Sequence, residues 1–128
     1  MGSSSKKSIV AVDDSGIVLQ SLEGILKDHY EFRGFLKADR ALGFIEQFPP
    51  SLIILDIEMP EVNGYELLEM IMKKQHLRNI PVIFLTANNQ KANVIKAVAY
   101  GADAYVVKPI DKQILLSKIE ALLRGQRL

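Results

Sequence analysis

Three aspartates close short apolar runs of this chain, and that position suits them for chemistry. Asp56 follows the run Ser51–Leu55. Asp13 and Asp14 follow the run Ser8–Val12. Short apolar runs with β-branched members predict fully buried strands. A carboxylate at the end of such a strand is costly to bury, so it needs a cation or a reactive partner.

The three carboxylates would repel one another if the two strands were parallel neighbours. Ligands bind at the carboxyl ends of the strands in open parallel sheets, where these groups would meet. Two unit charges about 4 Å apart repel by roughly 1 kcal/mol in water and about 4 kcal/mol at an effective dielectric near 20. Their pKa values would rise unless a cation lay among them. Magnesium, which takes oxygen ligands, fits this set best.

Two more polar side chains end apolar runs further along the chain. Thr86 offers a hydroxyl for a phosphoryl oxygen, and Lys108 offers a fixed positive charge. An aspartate can attack phosphorus to give an aspartyl phosphate. Phosphoryl transfer depends on positioning and charge neutralisation more than on proton chemistry. The four strand ends therefore predict a phosphoryl-transfer site with a carboxylate as the nucleophile.

Alternating extended and helical patterns predict the elements that position these residues. The predicted strands are about Lys7–Val12, Glu31–Leu36, Leu52–Asp56, Pro81–Thr86 and Ala104–Val107, with the second at an edge. The predicted helices are about Ser15–Asp28, Asp39–Phe48, Gly64–Lys74, Asn89–Tyr100 and Asp111–Arg124. Strict alternation implies right-handed crossovers and a parallel sheet covered by helices on both faces. The fold class is α/β, a three-layer doubly wound five-stranded parallel sheet of flavodoxin-like order 2-1-3-4-5.

Apolar spacing predicts the buried faces of these helices. The inward residues of the first helix are Ile17, Val18, Leu22, Ile25 and Leu26. Those of the third helix are Tyr65, Leu68 and Ile71, and those of the last are Ile114, Leu115, Ile119 and Leu122. Before the third helix, the Asn63-Gly64 pair predicts a tight turn with a positive φ.

Composition and charge exclude several classes of protein. The 128 residues are enough for one domain, and 16 basic against 15 acidic residues give a net charge of +1. Nothing in that balance favours bulk attraction to nucleic acid or insertion into a membrane. The absence of cysteine excludes disulfides and thiolate metal sites and suits a reducing compartment. We expect a cytoplasmic location.

The ends of the chain are expected to lie outside the folded unit. Residues 1–6 are small or basic and resemble a flexible leader or a cloning remnant rather than a signal peptide. Residues 7–124 carry the alternating pattern, and residues 125–128 are expected to form a frayed tail. We therefore predict a single domain over residues 7–124.

Four segments with this joint spacing resemble the receiver domain of response regulators in two-component phosphorelays. They are Val12–Ser15, Asp56–Gly64, Leu85–Ala87 and Gly101–Pro109, and the similarity runs from about Lys7 to Leu123. The resemblance implies that Asp56 accepts a phosphoryl group from a histidine of a sensor kinase or phosphotransfer protein. It implies a regulatory domain rather than an enzyme, with self-phosphorylation from phosphodonors and self-dephosphorylation as its only reactions.

The resemblance also implies a ligand set for Mg²⁺, with Mn²⁺ as an alternative. The ligands would be Asp13, Asp14, Asp56 and the backbone carbonyl of Glu58. Asp14 would bind the ion directly and Asp13 largely through water. Glu58 would in addition tune dephosphorylation together with Asn88.

A conformational switch is the last implication of the resemblance. Thr86 would move toward the phosphoryl group, Tyr105 would turn inward behind it, and Ala87 and Lys108 would complete the phosphoryl pocket. The Lys108-Pro109 bond would be cis. The fourth helix, fifth strand and fifth helix would form the surface for an output domain or protein, without direct binding to nucleic acid.

Other interpretations of the same residues stay open. A phosphatase of the haloacid-dehalogenase type also uses a strand-end aspartate with magnesium, but that class spaces its two acids two residues apart, where Asp13 and Asp14 are adjacent, and it needs a cap. A flavodoxin-like binding module needs a glycine-rich phosphate loop where Asp13 and Asp14 stand. A receiver domain that is not phosphorylated would act only as an interaction module. Asp14 or Ser15 alone can simply cap the first helix, and His29 and His76 are assigned no role.

Overall fold

The fold is a parallel sheet with helices on both of its faces. The computed structural model describes residues 6–87 and 91–125, without the side chains of residues 91–94. The strands of this part are β1 Ser8–Val12, β2 Glu31–Phe35, β3 Leu52–Asp56, β4 Val82–Thr86 and β5 Ala104–Val107. Its α-helices are α1 Gly16–Leu26, α2 Ala38–Gln47, α3 Gly64–Met72, α4 Lys91–Ala99 and α5 Lys112–Leu123, and a 3₁₀ turn covers Gln75–Leu77.

The strands lie in the order β2-β1-β3-β4-β5, and each neighbouring pair is parallel. The predicted doubly wound fold is confirmed, including the place of β2 at an edge. Val12 of β1 is in register with Leu55 of β3. Asp13 and Asp56 therefore follow directly from adjacent strands at the same edge of the sheet. Within the described ranges, no helix combines the length and the apolar character needed to cross a membrane.

Alternate residues of the strands supply two separate cores, as a period of two residues requires. One face packs on α2, α3 and α4, and its strand residues include Val10, Val12, Ile53, Leu55, Val82 and Phe84. The other face packs on α1 and α5, and its strand residues include Ile9, Ala11, Leu52, Ile54, Ile83 and Leu85. All five residues of β3 are buried. The strand that carries Asp56 is thus enclosed on both faces.

Two of the helix residues predicted to face inward lie on the surface instead. Ile17 is 76% exposed and Ile114 is 51% exposed. At about 100° per residue, Ile17 lies about 180° around α1 from the buried Leu26. Ile114 lies about 140° around α5 from the buried Ile119 by the same measure. Both predictions were wrong because the spacing admitted residues at the margin of the apolar stripe.

The helix ends differ from their predicted limits by one or two residues because capping residues stand outside the helices. Ser15 accepts a hydrogen bond from the Val18 N–H, and Asp111 accepts one from the Ile114 N–H. Each is therefore an N-cap and not a first helical residue. The predicted start of the fourth helix at Asn89 falls outside the described residues.

Gly64 is required by a close contact, not by the positive φ that the sequence predicted. Asn63 is the N-cap of α3 and forms a capping box with Glu66. A Cβ atom on Gly64 would lie only 2.4 Å from the backbone oxygen of Asp56. The positive φ of this loop belongs to Glu61, at 69°, inside a turn closed by the Val62 N–H on the Pro60 carbonyl. The start of α3 is thus pressed against the residue that ends β3.

We expect Gly64→Ala to destabilise the fold by about 1–3 kcal/mol, because the new methyl group must displace backbone atoms of Asp56 and Ile57. Gly43→Ala is the matched control. It lies inside α2, where a Cβ meets nothing within 4 Å, so it should stabilise the fold by about 0.5–1 kcal/mol. Urea unfolding measures both changes. Equal effects of the two substitutions would contradict the close contact.

Candidate metal and phosphoacceptor site

The carboxyl ends of the adjacent strands β1 and β3 bring the three predicted aspartates together. One carboxylate oxygen from each of Asp13, Asp14 and Asp56 lies within 4.8 Å of the other two. Asp13 and Asp56 are buried, at 0% and 2% exposure, whereas Asp14 is exposed. Two buried carboxylates thus face each other beside a third that reaches solvent.

Asp13 is fixed by its backbone and by one of its two carboxylate oxygens. Its N–H donates to the Phe35 carbonyl at 3.0 Å, which extends the β1–β2 pairing by one residue. Its Oδ1 accepts the Ser15 N–H at 2.9 Å. Its Oδ2 is buried and accepts no hydrogen bond from the described residues. That oxygen contacts only the charge of Lys108, at a distance of 3.0 Å.

Lys108 joins the two buried carboxylates from the end of β5. Its N–H donates to the Thr86 carbonyl at 2.8 Å, and the following peptide bond to Pro109 is cis. Its Nζ lies 3.0 Å from Oδ2 of Asp13 and 3.3 Å from Oδ1 of Asp56. Burial opposes its charged form, but the two carboxylates outweigh burial and raise the pKa of Lys108. One ammonium group therefore serves two carboxylates.

The charge on Asp56 is only partly compensated by this arrangement. Burial, followed by the negative charge of Asp13, raises the pKa of Asp56 to about 6. Lys108 and the Glu58 N–H, which donates to Oδ1 at 3.3 Å, act in the opposite direction and do not cancel the rise. Without a further cation, the site thus disfavours the ionised carboxylate that a nucleophile needs.

The donors of this site fit a hard divalent cation. The three nearby side chains offer carboxylate oxygens, the type of ligand that magnesium prefers. The buried Oδ2 of Asp13, which has no hydrogen bond within the described ranges, shares the Lys108 ammonium with Asp56, so a further cation is favourable there. Asp13, Asp14 and Asp56 therefore form a group able to hold a metal ion.

The described residues Thr86, Ala87 and Glu58 flank this group. Asp56 is in register with Leu85, so Thr86 stands one residue beyond it on the neighbouring strand, and it is buried. Ala87 and Glu58 are exposed beside the pocket. Asn88, predicted to tune dephosphorylation, falls outside the described residues.

Tyr105 is half-buried on β5 and is held by α5. The Nζ of Lys118 lies 4.7 Å from the centre of its ring and also donates to its backbone carbonyl. The ring packs against the core that faces α3 and α4. Sequence reasoning assigned no role to Lys118, since a lysine on an amphipathic helix gives no sign of such a contact.

Two further features of the site were missed in the sequence. Gly64 was interpreted as a turn residue, although its function here is to let α3 approach Asp56. Ile17 was placed in the core, although its position out of phase with Leu22 and Leu26 was a sign of exposure. It lines a surface groove that reaches Lys108 and Pro109.

The comparison with protein families is decisive at this point. The family model described as the response regulator receiver domain matches residues 9–120. The chain belongs to this family. As a receiver domain, it is a regulatory domain of two-component signal transduction.

Three relatives illustrate the range of proteins that carry similar receiver domains. Response regulator Rre1 of Synechocystis sp. is 33% identical over 122 residues, covering 94% of this chain and 53% of that protein. Protein PilH of Pseudomonas aeruginosa is 32% identical over 120 residues, covering 91% of this chain and 98% of that protein. The crystal structure of a response regulator from Chloroflexus aurantiacus is 28% identical and has a TM-score of 0.89, with 93% of this chain and 98% of that chain covered.

The length of the relatives differs more than their fold. The chain spans about half the length of Rre1 but nearly all of PilH. A receiver domain of this size thus occurs both within longer proteins and as almost the whole of a protein. The relatives support the domain's class without assigning an output to it.

We expect Asp56→Asn to stabilise the metal-free protein at neutral pH. The fold holds the Asp56 proton more tightly than the unfolded chain does. Its contribution to stability is therefore fully present below about pH 4 and is lost as the pH rises through about 6. With a chelator present, the free energy of unfolding of the variant should exceed that of the wild type by about 2–3 kcal/mol at pH 7 and by almost nothing near pH 4.

Urea unfolding in EDTA across this pH range measures the difference. Exposed Asp28→Asn is the control, since a surface substitution should change the unfolding free energy by less than about 0.5 kcal/mol. Added magnesium should narrow the gap, because it stabilises the wild-type site. A wild type as stable as Asp56→Asn at neutral pH would show that the buried carboxylates are not in conflict.

Proposed function

We propose that this receiver domain accepts a phosphoryl group on Asp56, with Mg²⁺ bound by Asp13, Asp14, Asp56 and the Glu58 carbonyl. The observation that carries the proposal is the Lys108 ammonium placed between two buried carboxylates. A buried acid whose charge is only partly compensated, beside a lysine and two other acids, is arranged for a reaction that brings in a metal and an anion.

The donor in this proposal is a phosphohistidine of a kinase or phosphotransfer protein. A carboxylate oxygen of Asp56 attacks phosphorus, a P–O bond forms, and the P–N bond to the imidazole breaks. The imidazole nitrogen keeps the electron pair, and the product is an aspartyl phosphate. Bound magnesium supplies neutralisation of the carboxylate and phosphoryl charges. Lys108 pairs with a phosphoryl oxygen, and the Thr86 hydroxyl donates a hydrogen bond to another.

The phosphoryl group then changes the surface of α4, β5 and α5. It carries a charge of about −1.5 to −2 in place of the single carboxylate charge of Asp56, which draws Lys108 and Thr86 and lets Tyr105 follow. Exposed apolar side chains on these elements support a docking role for this surface. Ile95 and Val98 of α4 are 59% and 63% exposed. An output domain or protein would cover them, and Glu58 and Asn88 would set the phosphoryl lifetime.

A groove beside the phosphoacceptor offers a seat for the donor protein. It has a volume of about 440 Å³ and runs between α1 and the segment after β5. Its lining residues are Ile17, Val18, Ser21, Ile25, Lys108, Pro109 and Ile110. Because Lys108 also contacts Asp56, a protein bound in this apolar groove would have its histidine next to the acceptor.

The absence of cysteine suits the reducing cytoplasm that we propose as the location.

The wild-type protein mixed with acetyl phosphate and magnesium should gain the mass of one phosphoryl group. Asp56→Asn should gain none, because the nucleophile is lost. Lys108→Ala should still incorporate phosphate but lose the conformational response, since its cation no longer follows the phosphoryl group. Intact mass spectrometry measures incorporation, and amide hydrogen exchange measures the response.

Other outcomes of that experiment would identify the rival functions. Rapid turnover of phosphate esters would indicate a phosphatase. Magnesium binding without incorporation would indicate a receiver domain that serves only as an interaction module. Incorporation that survives in Asp56→Asn would reject the assigned acceptor.

Ile17→Glu should slow phosphotransfer from a protein donor at least about tenfold, because it places a charge in the groove that the docked donor would desolvate. It should leave phosphorylation by acetyl phosphate unchanged, since that small donor needs no protein interface. Ile95→Glu is the matched control, as it adds the same charge to an exposed isoleucine on α4. The donor is a purified histidine phosphotransfer domain that phosphorylates the wild type. Equal slowing by both variants would remove the groove from the proposal.

A further inference from the structure

Tyr65 lies where the loop after Asp56 meets helix α4. It is the second residue of α3, directly after Gly64, and its side chain is buried. Its ring meets Phe84 of β4 edge-on at 5.2 Å between centroids. Its ring centre is 4.7 Å from that of Tyr100 and 4.7 Å from the Nζ of Lys96. Three elements of the fold thus converge on one side chain.

The phosphoacceptor end of this arrangement is closely packed. Gly64, the neighbour of Tyr65, has no room for a Cβ against the Asp56 carbonyl. The Glu58 N–H donates to Oδ1 of Asp56. Burial raises the pKa of the Tyr65 hydroxyl, with further contributions in the same direction from Tyr100 and Glu58. A displacement of the Asp56 backbone therefore reaches Tyr65 through Gly64.

The described side chains at the α4 end make few buried contacts. Among residues 95–99, the part of α4 whose side chains the structure describes, Ala97 is the only buried one. Lys96 and Tyr100 are four residues apart, so both lie on one face over the Tyr65 ring. An element with few buried contacts opens locally at low free energy. Its hold on Tyr65 is accordingly a large part of what fixes α4.

We propose that Tyr65 is a positioning residue that couples the loop after Asp56 to helix α4 through contacts other than those of Thr86 and Tyr105. The ring holds α4 through Tyr100 and Lys96, and its backbone follows Asp56 through the neighbouring Gly64. The signal in this coupling is the phosphoryl group on Asp56, so that part rests on the proposed function. The hold on α4 does not depend on phosphorylation.

Three variants test whether the ring of Tyr65 carries the coupling. Tyr65→Phe keeps the ring and removes only the hydroxyl. Tyr65→Leu removes the ring contacts with α4, and Tyr100→Leu removes one of them from the opposite side. Tyr30→Phe is the matched control, because it removes a partly buried hydroxyl near Glu120 on the other face of the sheet.

Amide hydrogen exchange of residues 95–100 is the readout, before and after acetyl phosphate and magnesium. Without phosphate, Tyr65→Leu and Tyr100→Leu should raise exchange at least about threefold, while Tyr65→Phe matches the wild type. With phosphate, all variants should incorporate it, but Tyr65→Leu and Tyr100→Leu should lose most of the change seen in the wild type at these residues, while Tyr65→Phe should keep it. Tyr30→Phe should keep that change.

The outcomes assign failure to one proposal or the other. If Tyr65→Leu and Tyr30→Phe show the same change on phosphorylation, Tyr65 does not transmit the signal to α4. If neither leucine variant changes basal exchange, Tyr65 does not hold α4, and the inference fails whatever happens with phosphate. If the wild type takes up no phosphate, the proposed function fails, and the basal arm still decides whether Tyr65 fixes α4.

Discussion

The structure depends on two like charges that are kept close together away from water. Asp13 and Asp56 stand at the ends of adjacent central strands, and both are almost completely buried. Lys108 reduces their repulsion, but one ammonium contacts both. The raised pKa of Asp56 is the remaining cost. This cost is local, so a cation bound beside the two carboxylates relieves it.

Several elements of the fold exist to maintain that conflict. The fully apolar β3 keeps Asp56 at the centre of the sheet, and the missing side chain of Gly64 lets α3 close over it. The capping box at Asn63 fixes where α3 begins. Strand β5 returns Lys108 to this end of the sheet, and the hydrogen bond from the Lys108 N–H to the Thr86 carbonyl fixes its position. Strand ends from four different parts of the chain thus determine a single charge distribution.

The sequence was sufficient for the fold and for the aspartate cluster. Polar residues that end apolar runs are local signals, and strict alternation of strands and helices leaves one common sheet order. The rest depends on distances between segments far apart in the chain. The reason for Gly64 and the contacts of Tyr65 with α4 follow from packing that no local pattern encodes. Lys118 beneath Tyr105 is a contact of the same kind.

Stiffness is unevenly distributed around Asp56. Its strand is enclosed on both faces, whereas the described side chains of α4 contribute one buried residue. The contacts of the Tyr65 ring with Tyr100 and with the Lys96 ammonium each contribute on the order of 1 kcal/mol. A change of one charge at Asp56 can therefore match the energies of these contacts with α4. The acceptor therefore acts as a stationary reference point, and information is read from the displacement of its softer surroundings.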